Sequence, residues 1–187
     1  MLNERKIFPF AWNKLYKKAF LDEIGIKFES TKLIEDFLFN IEIFGKARFI
    51  RVIPDNLYNY RKPAHETLVS AYDPAFFSLC KRKYNLEKEY LFSVNGASDR
   101  NMQLIYLSYI KHIFAVFIKN SSEKAGLSEN EQKQKIKEVL EDPETKQVLS
   151  AYRPQGVIMK SLTVILKKNS PIIYSVLHTL TEKVLNK

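Results

Sequence analysis

The sequence predicts an α/β fragment in which helices predominate, with a single strand in the first third of the chain and an all-helical extension after it. Apolar residues recur at helical spacing through most of the 187 residues, and pairs such as Asp73-Pro74 mark helix starts throughout the second half. One short β-branched run ends at Pro54 and is typical of a strand. With 45% apolar residues, the chain can bury a substantial core.

Two helices are predicted before the strand. Apolar residues follow helical spacing from 13 to 24, and Gly25 is placed to end that helix in a left-handed conformation. A second helix is predicted from near Ile34 to Gly45, because Glu35 and Asp36 favour a first turn and apolar residues then line one face.

The remaining elements follow from β-branched composition and from helix-capping signals. Residues 48–53 predict the strand, which Pro54 ends. Residues 102–118 form the most apolar stretch, but Lys111 and His112 lie within it, so a buried helix is expected there rather than a membrane span. Beyond residue 73 we predict helices at about 74–92, 98–119, 129–141, 143–150, 155–167 and 171–185.

Composition excludes several kinds of site. The net charge of +9 permits nucleic acid, an anionic membrane or a phosphorylated substrate as a partner. The five glycines are too widely separated for a Rossmann or P-loop phosphate cradle. The single cysteine, Cys80, excludes an intrachain disulfide and a thiolate zinc cluster, and it is expected to be a small buried side chain on a helix.

The acidic pair Glu35-Asp36 is the first candidate for chemistry. A carboxylate at a helix start can be held by backbone N–H groups through one oxygen while its second oxygen faces outward, which suits a general base. The alternative is purely structural, because the helix dipole alone favours acidic residues in first turns.

The second candidate is the polar segment that follows the predicted strand. Tyr58-x-Tyr60-Arg61 is followed by His65 and Thr67, and these side chains offer hydrogen-bond donors that could stabilise a departing diphosphate. The alternative is a solvated polar loop without a ligand.

Five ordered motifs within residues 8–75 resemble a known family. They are Trp12-Asn-Lys-Leu-Tyr16-Lys, Phe20-Leu21, Ile26-x-Phe28, Glu35-Asp36-x-x-Phe39-Asn40 and Leu57-Tyr58-x-Tyr60-Arg61. Together they resemble the second half of the catalytic domain of glycosyltransferase family 2, which has the GT-A fold. The resemblance is to bacterial enzymes that build capsular, exopolysaccharide or wall glycans. It implies transfer of a sugar from a nucleotide-sugar donor to a glycan or lipid-linked acceptor.

The resemblance also implies roles for particular residues. Asp36 matches the general base that deprotonates the acceptor hydroxyl in an inverting displacement, and Glu35 matches the glutamate beside it. The resemblance further implies acceptor-side positions at Trp12, Asn13 and Lys14, and diphosphate-binding positions at Arg61 and His65. The sequence departs from the commoner family pattern at residues 65–67.

The family places a nucleotide-binding half with a metal-binding D-x-D motif before the Trp12 segment. Only eleven residues precede Trp12, whereas one βαβ unit needs about thirty, and no two aspartates are two positions apart. We therefore expect a truncated chain that is inactive without the donor-binding half. It would bind no cofactor itself, although a divalent metal, Mg²⁺ or Mn²⁺, is expected for the complete enzyme. The predicted domains are 1–72, the acceptor-side part, and 73–187, the helical extension.

Two other function classes remain open. The chain could be a non-catalytic helical interaction module derived from such an enzyme. A nucleic-acid binder is less well supported, because basic and acidic residues are interspersed before residue 154 and no known nucleic-acid motif is present.

Partners and location are predicted from the tail and from the strand. Residues 154–187 hold five lysines, Lys160, Lys167, Lys168, Lys183 and Lys187, against Glu182 alone. An apolar face of Ile173, Leu177, Leu180 and Val184, with Val176 beside it, predicts a helix on an anionic membrane surface. A cytoplasmic protein at the inner face of the membrane is therefore expected. Self-association is expected because the strand lacks sheet partners.

Overall fold

The computed structural model describes residues 9–31, 33–55, 57–59, 72–168 and 170–185. Within these ranges helices predominate, as predicted, and no strand is formed. The helices are α1 (Lys18–Ile24), α2 (Glu35–Lys46), α3 (Phe76–Ser93), α4 (Asp99–Asn120), α5 (Glu129–Glu141), α6 (Pro143–Ala151), α7 (Gly156–Lys167) and α8 (Pro171–Leu185), with a 3-10 turn at Glu123–Ala125.

The chain forms two compact units. The first unit comprises Met1–Ala71 and Arg82–Ser98, and the second comprises Tyr72–Lys81 and Asp99–Lys187. The residues of α3 are therefore shared between the two units. The sequence division into 1–72 and 73–187 rests on the family resemblance and stays a prediction.

The core of the first unit is built on α2. Phe37, Leu38, Phe39, Ile43 and Phe44 are all buried on this helix. Because apolar residues spaced three and four apart share one helical face, α2 offers a continuous apolar surface to the segments around it.

The two N-terminal helices follow the sequence signals in part. Gly25 has φ of 63° and ends α1 in the left-handed conformation, as predicted. The helix begins at Lys18 rather than at residue 13, because the preceding residues make long-range contacts with α2 instead. Gly45 does not end α2, since the N–H of Ala47 donates to the carbonyl of Ile43 at 2.8 Å and the helix runs to Lys46.

The predicted strand at 48–53 is wrong. Residues 47–54 are neither helix nor strand, and the described part of the chain supplies no second strand to pair with them. The apolar side chains of this run are exposed, with Phe49 95% and Ile50 48% accessible to solvent. A β-branched run becomes a strand only when a neighbouring strand satisfies its backbone N–H and C=O groups.

The second unit is organised around α4, which packs against α5, α6 and α8. Its inner face is buried, with Phe117 fully inaccessible. Among the described residues α4 is the one helix long and apolar enough to cross a membrane by length and composition. Seven of its residues are buried in the unit: Ile105, Tyr109, Ile110, Ile113, Val116, Phe117 and Asn120. A helix is thus confirmed at 102–118, and one face of it is buried in the unit.

Local capping explains why α5 and α6 begin where the sequence predicts. Ser128 and Glu131 form a reciprocal capping box at the start of α5. Asp142 caps α6 by accepting the N–H groups of Glu144 and Thr145 at 3.0 and 3.1 Å, with Pro143 in the first turn. Cys80 is buried on α3, as expected.

Candidate functional site

Asp36 lies in the first turn of α2 and is half-buried. Its Oδ2 accepts a hydrogen bond from the backbone N–H of Ala11 at 3.1 Å, across 25 residues of sequence. Among the described residues, no hydrogen bond is made to Oδ1. The segment that carries Trp12, Asn13 and Lys14 is therefore tied to the start of α2, with one carboxylate oxygen left for another partner.

The backbone before Asp36 is strained. Leu33 has φ of 78°, a left-handed conformation that a branched side chain rarely adopts, and Ile34 begins α2 without a side-chain cap. Such strain persists only where the surroundings fix the backbone, and it is concentrated at functional sites. The uncapped first turn also leaves N–H groups without intrahelical partners, which favours the acidic pair at this place.

Lys14 lies within the electrostatic reach of Asp36. Its Nζ donates to the carbonyl of Phe10 and to Asn13 Oδ1, the latter at 2.8 Å, and stands 5.9 Å from the ring centroid of Phe44. Partial burial lowers the pKa of Lys14 to about 8, while the negative charge of Asp36 acts in the opposite direction. At pH 7 the site therefore holds an ammonium group close to a carboxylate.

Tyr16 joins the same segment to the buried face of α2. Its hydroxyl donates to Asn40 Oδ1 at 2.6 Å, and its ring meets the ring of Phe39 edge to face at 5.6 Å. Burial, with a smaller effect of the Asp36 charge, raises the pKa of Tyr16 to about 12. Asn40 is fully inaccessible, and its Nδ2 has no hydrogen-bond partner in the described part of the chain.

We expect Tyr16→Phe to lower the free energy of unfolding by about 1–3 kcal/mol, because it leaves the buried Asn40 amide without its hydrogen-bond donor. Tyr58→Phe is the matched control, since Tyr58 is 53% exposed, and it should change stability by less than about 0.5 kcal/mol. Adding Asn40→Leu to Tyr16→Phe should restore much of the loss. Equal effects of the two tyrosine variants in urea denaturation would contradict the prediction.

The lowered pKa of Lys14 predicts a pH dependence of stability. Between about pH 8 and the ordinary value of 10.5, the unfolded chain binds a proton at Lys14 that the folded chain has lost. The free energy of unfolding should therefore rise with pH through this window relative to Lys14→Met, which keeps the aliphatic stem. The raised pKa of Tyr16 has the opposite effect on the free energy of unfolding, but only above the ordinary tyrosine pKa of 10.0. Parallel stability curves for the two proteins from pH 7 to 10 would refute the assignment.

An aromatic row extends from the segment beside Asp36. Trp12 lies between Phe10 and Tyr58, with ring centroids 5.1 and 4.8 Å away, and remains 37% exposed. Glu35 is half-buried, and its Oε2 is a buried atom without a hydrogen-bond partner in the described residues. The site thus combines a flat apolar surface with two carboxylates and an ammonium group.

Two predicted site residues, Arg61 and His65, lie outside the described residues. Among the residues that are described, no three His, Cys, Asp or Glu side chains come together to hold a metal ion.

The Tyr16–Asn40 pair was not predicted as part of the site. Both residues lie in the motifs that carry the resemblance, yet no role follows for them from the family pattern. The sequence feature that could have identified this pair is the position of Asn40. It lies four residues after Asp36 on the same helix, among apolar residues. A polar amide in such a run needs a hydrogen-bond partner.

No family model matches the chain, and no solved structure matches it. It is similar to a curated protein described as the uncharacterized glycosyltransferase EpsJ of Bacillus subtilis (strain 168), with 21% identity over 141 residues. The aligned region covers 74% of this chain and 40% of that relative, so the chain spans less than half of the relative's length. The similarity indicates a distant relationship to a glycosyltransferase.

Proposed function

We propose that the chain is the acceptor-side part of an inverting family 2 glycosyltransferase with the GT-A fold. It would transfer a sugar from a nucleotide-sugar donor to a glycan or lipid-linked acceptor in surface polysaccharide synthesis. The observation that carries the proposal is the hydrogen bond from the Ala11 N–H to Asp36 Oδ2. It joins the residue immediately before the Trp12 motif to the Glu35-Asp36 motif and leaves Oδ1 for an acceptor hydroxyl.

In the proposed reaction Asp36 is the general base. Its Oδ1 takes the proton from an acceptor hydroxyl while the hydroxyl oxygen forms a bond to the anomeric carbon of the donor sugar. The bond from that carbon to the nucleotide diphosphate breaks, and the diphosphate leaves with the electron pair. Attack from the side opposite the leaving group inverts the anomeric configuration.

The surroundings of Asp36 support this role. The pKa of Lys14, about 8, leaves its ammonium group protonated at neutral pH, within electrostatic reach of Asp36. Trp12, the residue after Ala11, remains 37% exposed, so part of its indole ring is open to contact with an acceptor sugar. The hydrogen bond from Tyr16 to Asn40 holds the segment that carries Trp12 and Lys14 against α2.

The donor side belongs to the part of the enzyme that this chain does not supply. Two observations support this: the chain matches only 40% of its relative, and residues 49–53 expose an apolar run without a pairing strand. A donor-binding half would supply the neighbouring strands of a sheet, and the metal expected for the complete enzyme would be held outside the described residues. Arg61 and His65 are proposed to approach the nucleotide diphosphate.

The test is to join the chain to the donor-binding half of a family 2 glycosyltransferase and to measure transfer from a panel of nucleotide sugars to glycan and lipid-linked acceptors. Inverted linkages in the product, formed only when this chain is present, would support the proposal. A non-catalytic interaction module predicts no transfer with any donor and acceptor, although the two halves still bind each other.

A further inference from the structure

Helices α7 and α8 of the second unit expose apolar side chains on the faces that point away from the core. On α7, Val157 is 80% and Ile158 82% exposed, and Val164 is 54% exposed. On α8, Ile172 is 75% exposed, and Val176 and Leu180 are 41% and 46% exposed. Surface helices in globular proteins normally turn polar residues outward, so both faces need an explanation.

The contacts of the two helices identify which face is inward. Helix α7 packs against α6, with Thr163 and Leu166 buried, and helix α8 packs against α4 and α5. On α8 the buried residues include Leu177 and His178, whose Nε2 is 2.7 Å from Gln132 Oε1. The apolar residues on the opposite sides are therefore additional to those that stabilise the core.

The outward faces repeat one pattern. On α7 the exposed residues Val157, Ser161 and Val164 are separated by four and then three positions. On α8 the exposed residues Ile172, Val176 and Thr179 have the same separations. The outward side of α8 is an open, shallow surface formed by Ile172, Ser175, Val176, Thr179 and Leu180. The two consecutive helices thus expose positions with the same spacing, four of which are aliphatic and two of which, Ser161 and Thr179, carry hydroxyl groups.

The charges near these outward faces are almost all positive. Exposed lysines stand beside the exposed aliphatic residues of α7 at Lys160 and Lys167 and at the end of this helix at Lys168. The sequence from 154 to 187 holds five lysines and one acidic residue. It contains no arginine, and its one aromatic residue, Tyr174, is buried.

We infer that the outward faces of α7 and α8 lie on an anionic phospholipid surface. The exposed aliphatic residues of α7, with Lys160, Lys167 and Lys168 beside them, match the interface between acyl chains and negatively charged headgroups, and the exposed aliphatic residues of α8 add apolar area. A second copy of the chain fits poorly, because it would bring like charges together. A protein partner fits less well too, since protein interfaces are enriched in aromatic residues and arginine and depleted in lysine.

The membrane face inferred here differs from the face that the sequence predicted. That face was centred on Leu177, which is 1% exposed and packs in the core, whereas Val176 and Leu180 remain outside. The surface extends instead through Ile172 and Val176 on α8 and through Val157 and Ile158 on α7.

The test uses flotation of the full chain with equimolar phosphatidylglycerol and phosphatidylcholine vesicles and with pure phosphatidylcholine vesicles. The test variant is Ile158→Glu with Ile172→Glu, and the control is Phe49→Glu with Phe92→Glu. Both carry the same added charge, and the control residues are 95% and 61% exposed in the first unit. Circular dichroism checks that both remain folded.

We expect the test variant to reduce the partition coefficient on anionic vesicles about tenfold or more, while the control stays near the unmodified chain. Binding should be weak on pure phosphatidylcholine and should fall as salt rises. Equal partitioning of the two variants would overturn the inference, as would equal binding to both kinds of vesicle. Absence of vesicle binding together with concentration-dependent self-association, lost in the test variant, would identify a second copy as the occupant.

Discussion

Asp36→Asn should lower the turnover of the completed enzyme by about a hundredfold to ten-thousandfold, the usual contribution of a general base. The asparagine side-chain oxygen can still accept the N–H of Ala11, so the segment from Trp12 to Lys14 should keep its place beside α2. What the variant loses is the proposed general base for the acceptor hydroxyl. Initial rates with varied acceptor should therefore show a fall in kcat with little change in KM.

The matched control for this variant is Asp22→Asn. Asp22 is exposed on α1 and pairs with Lys18 at 2.7 Å, so its replacement removes the same charge from the same unit. Turnover should stay within about twofold of the unmodified enzyme, since exposed ion pairs contribute little. If Asp36→Asn kept nearly full turnover, Asp36 would instead be an acidic residue that merely complements the helix dipole.

Local signals in the sequence were sufficient to predict the helices beyond residue 73. The side chains of Ser128 and Asp142 bind backbone N–H groups within three residues, so the starts of α5 and α6 depend on sequence neighbours alone. The strand at 48–53 needed more than local composition. Its formation depends on a second strand far away in sequence or in another part of the protein, and local pattern carries no such information.

The candidate site shows the same division between local and distant information. The position of Asp36 in the first turn of α2 follows from the acidic pair itself and was predicted. The hydrogen bonds from Ala11 to Asp36 and from Tyr16 to Asn40 join residues 25 and 24 positions apart. Helical spacing predicted a helix from residue 13, but these long-range contacts keep residues 13–17 out of it.

The orientation of α8 could not be predicted because this helix is apolar on more than one side. The sequence placed Leu177 and Leu180 together on one face, since they are three residues apart. In the structure Leu177 is 1% exposed and Leu180 is 46% exposed. Periodicity identifies a helix, but which side is buried depends on α4 and α5, against which α8 packs.

Leu177→Ala is expected to lower the free energy of unfolding of the second unit by about 2–5 kcal/mol, because it removes buried methyl groups and leaves a cavity. Leu180→Ala makes the same chemical change three residues later and should cost less than about 1 kcal/mol, since Leu180 is 46% exposed. Thermal unfolding followed by circular dichroism compares the two, and only Leu180→Ala should also weaken vesicle binding. Equal destabilisation would mean that both leucines lie in the core, and the outward face of α8 would then not be available to a membrane.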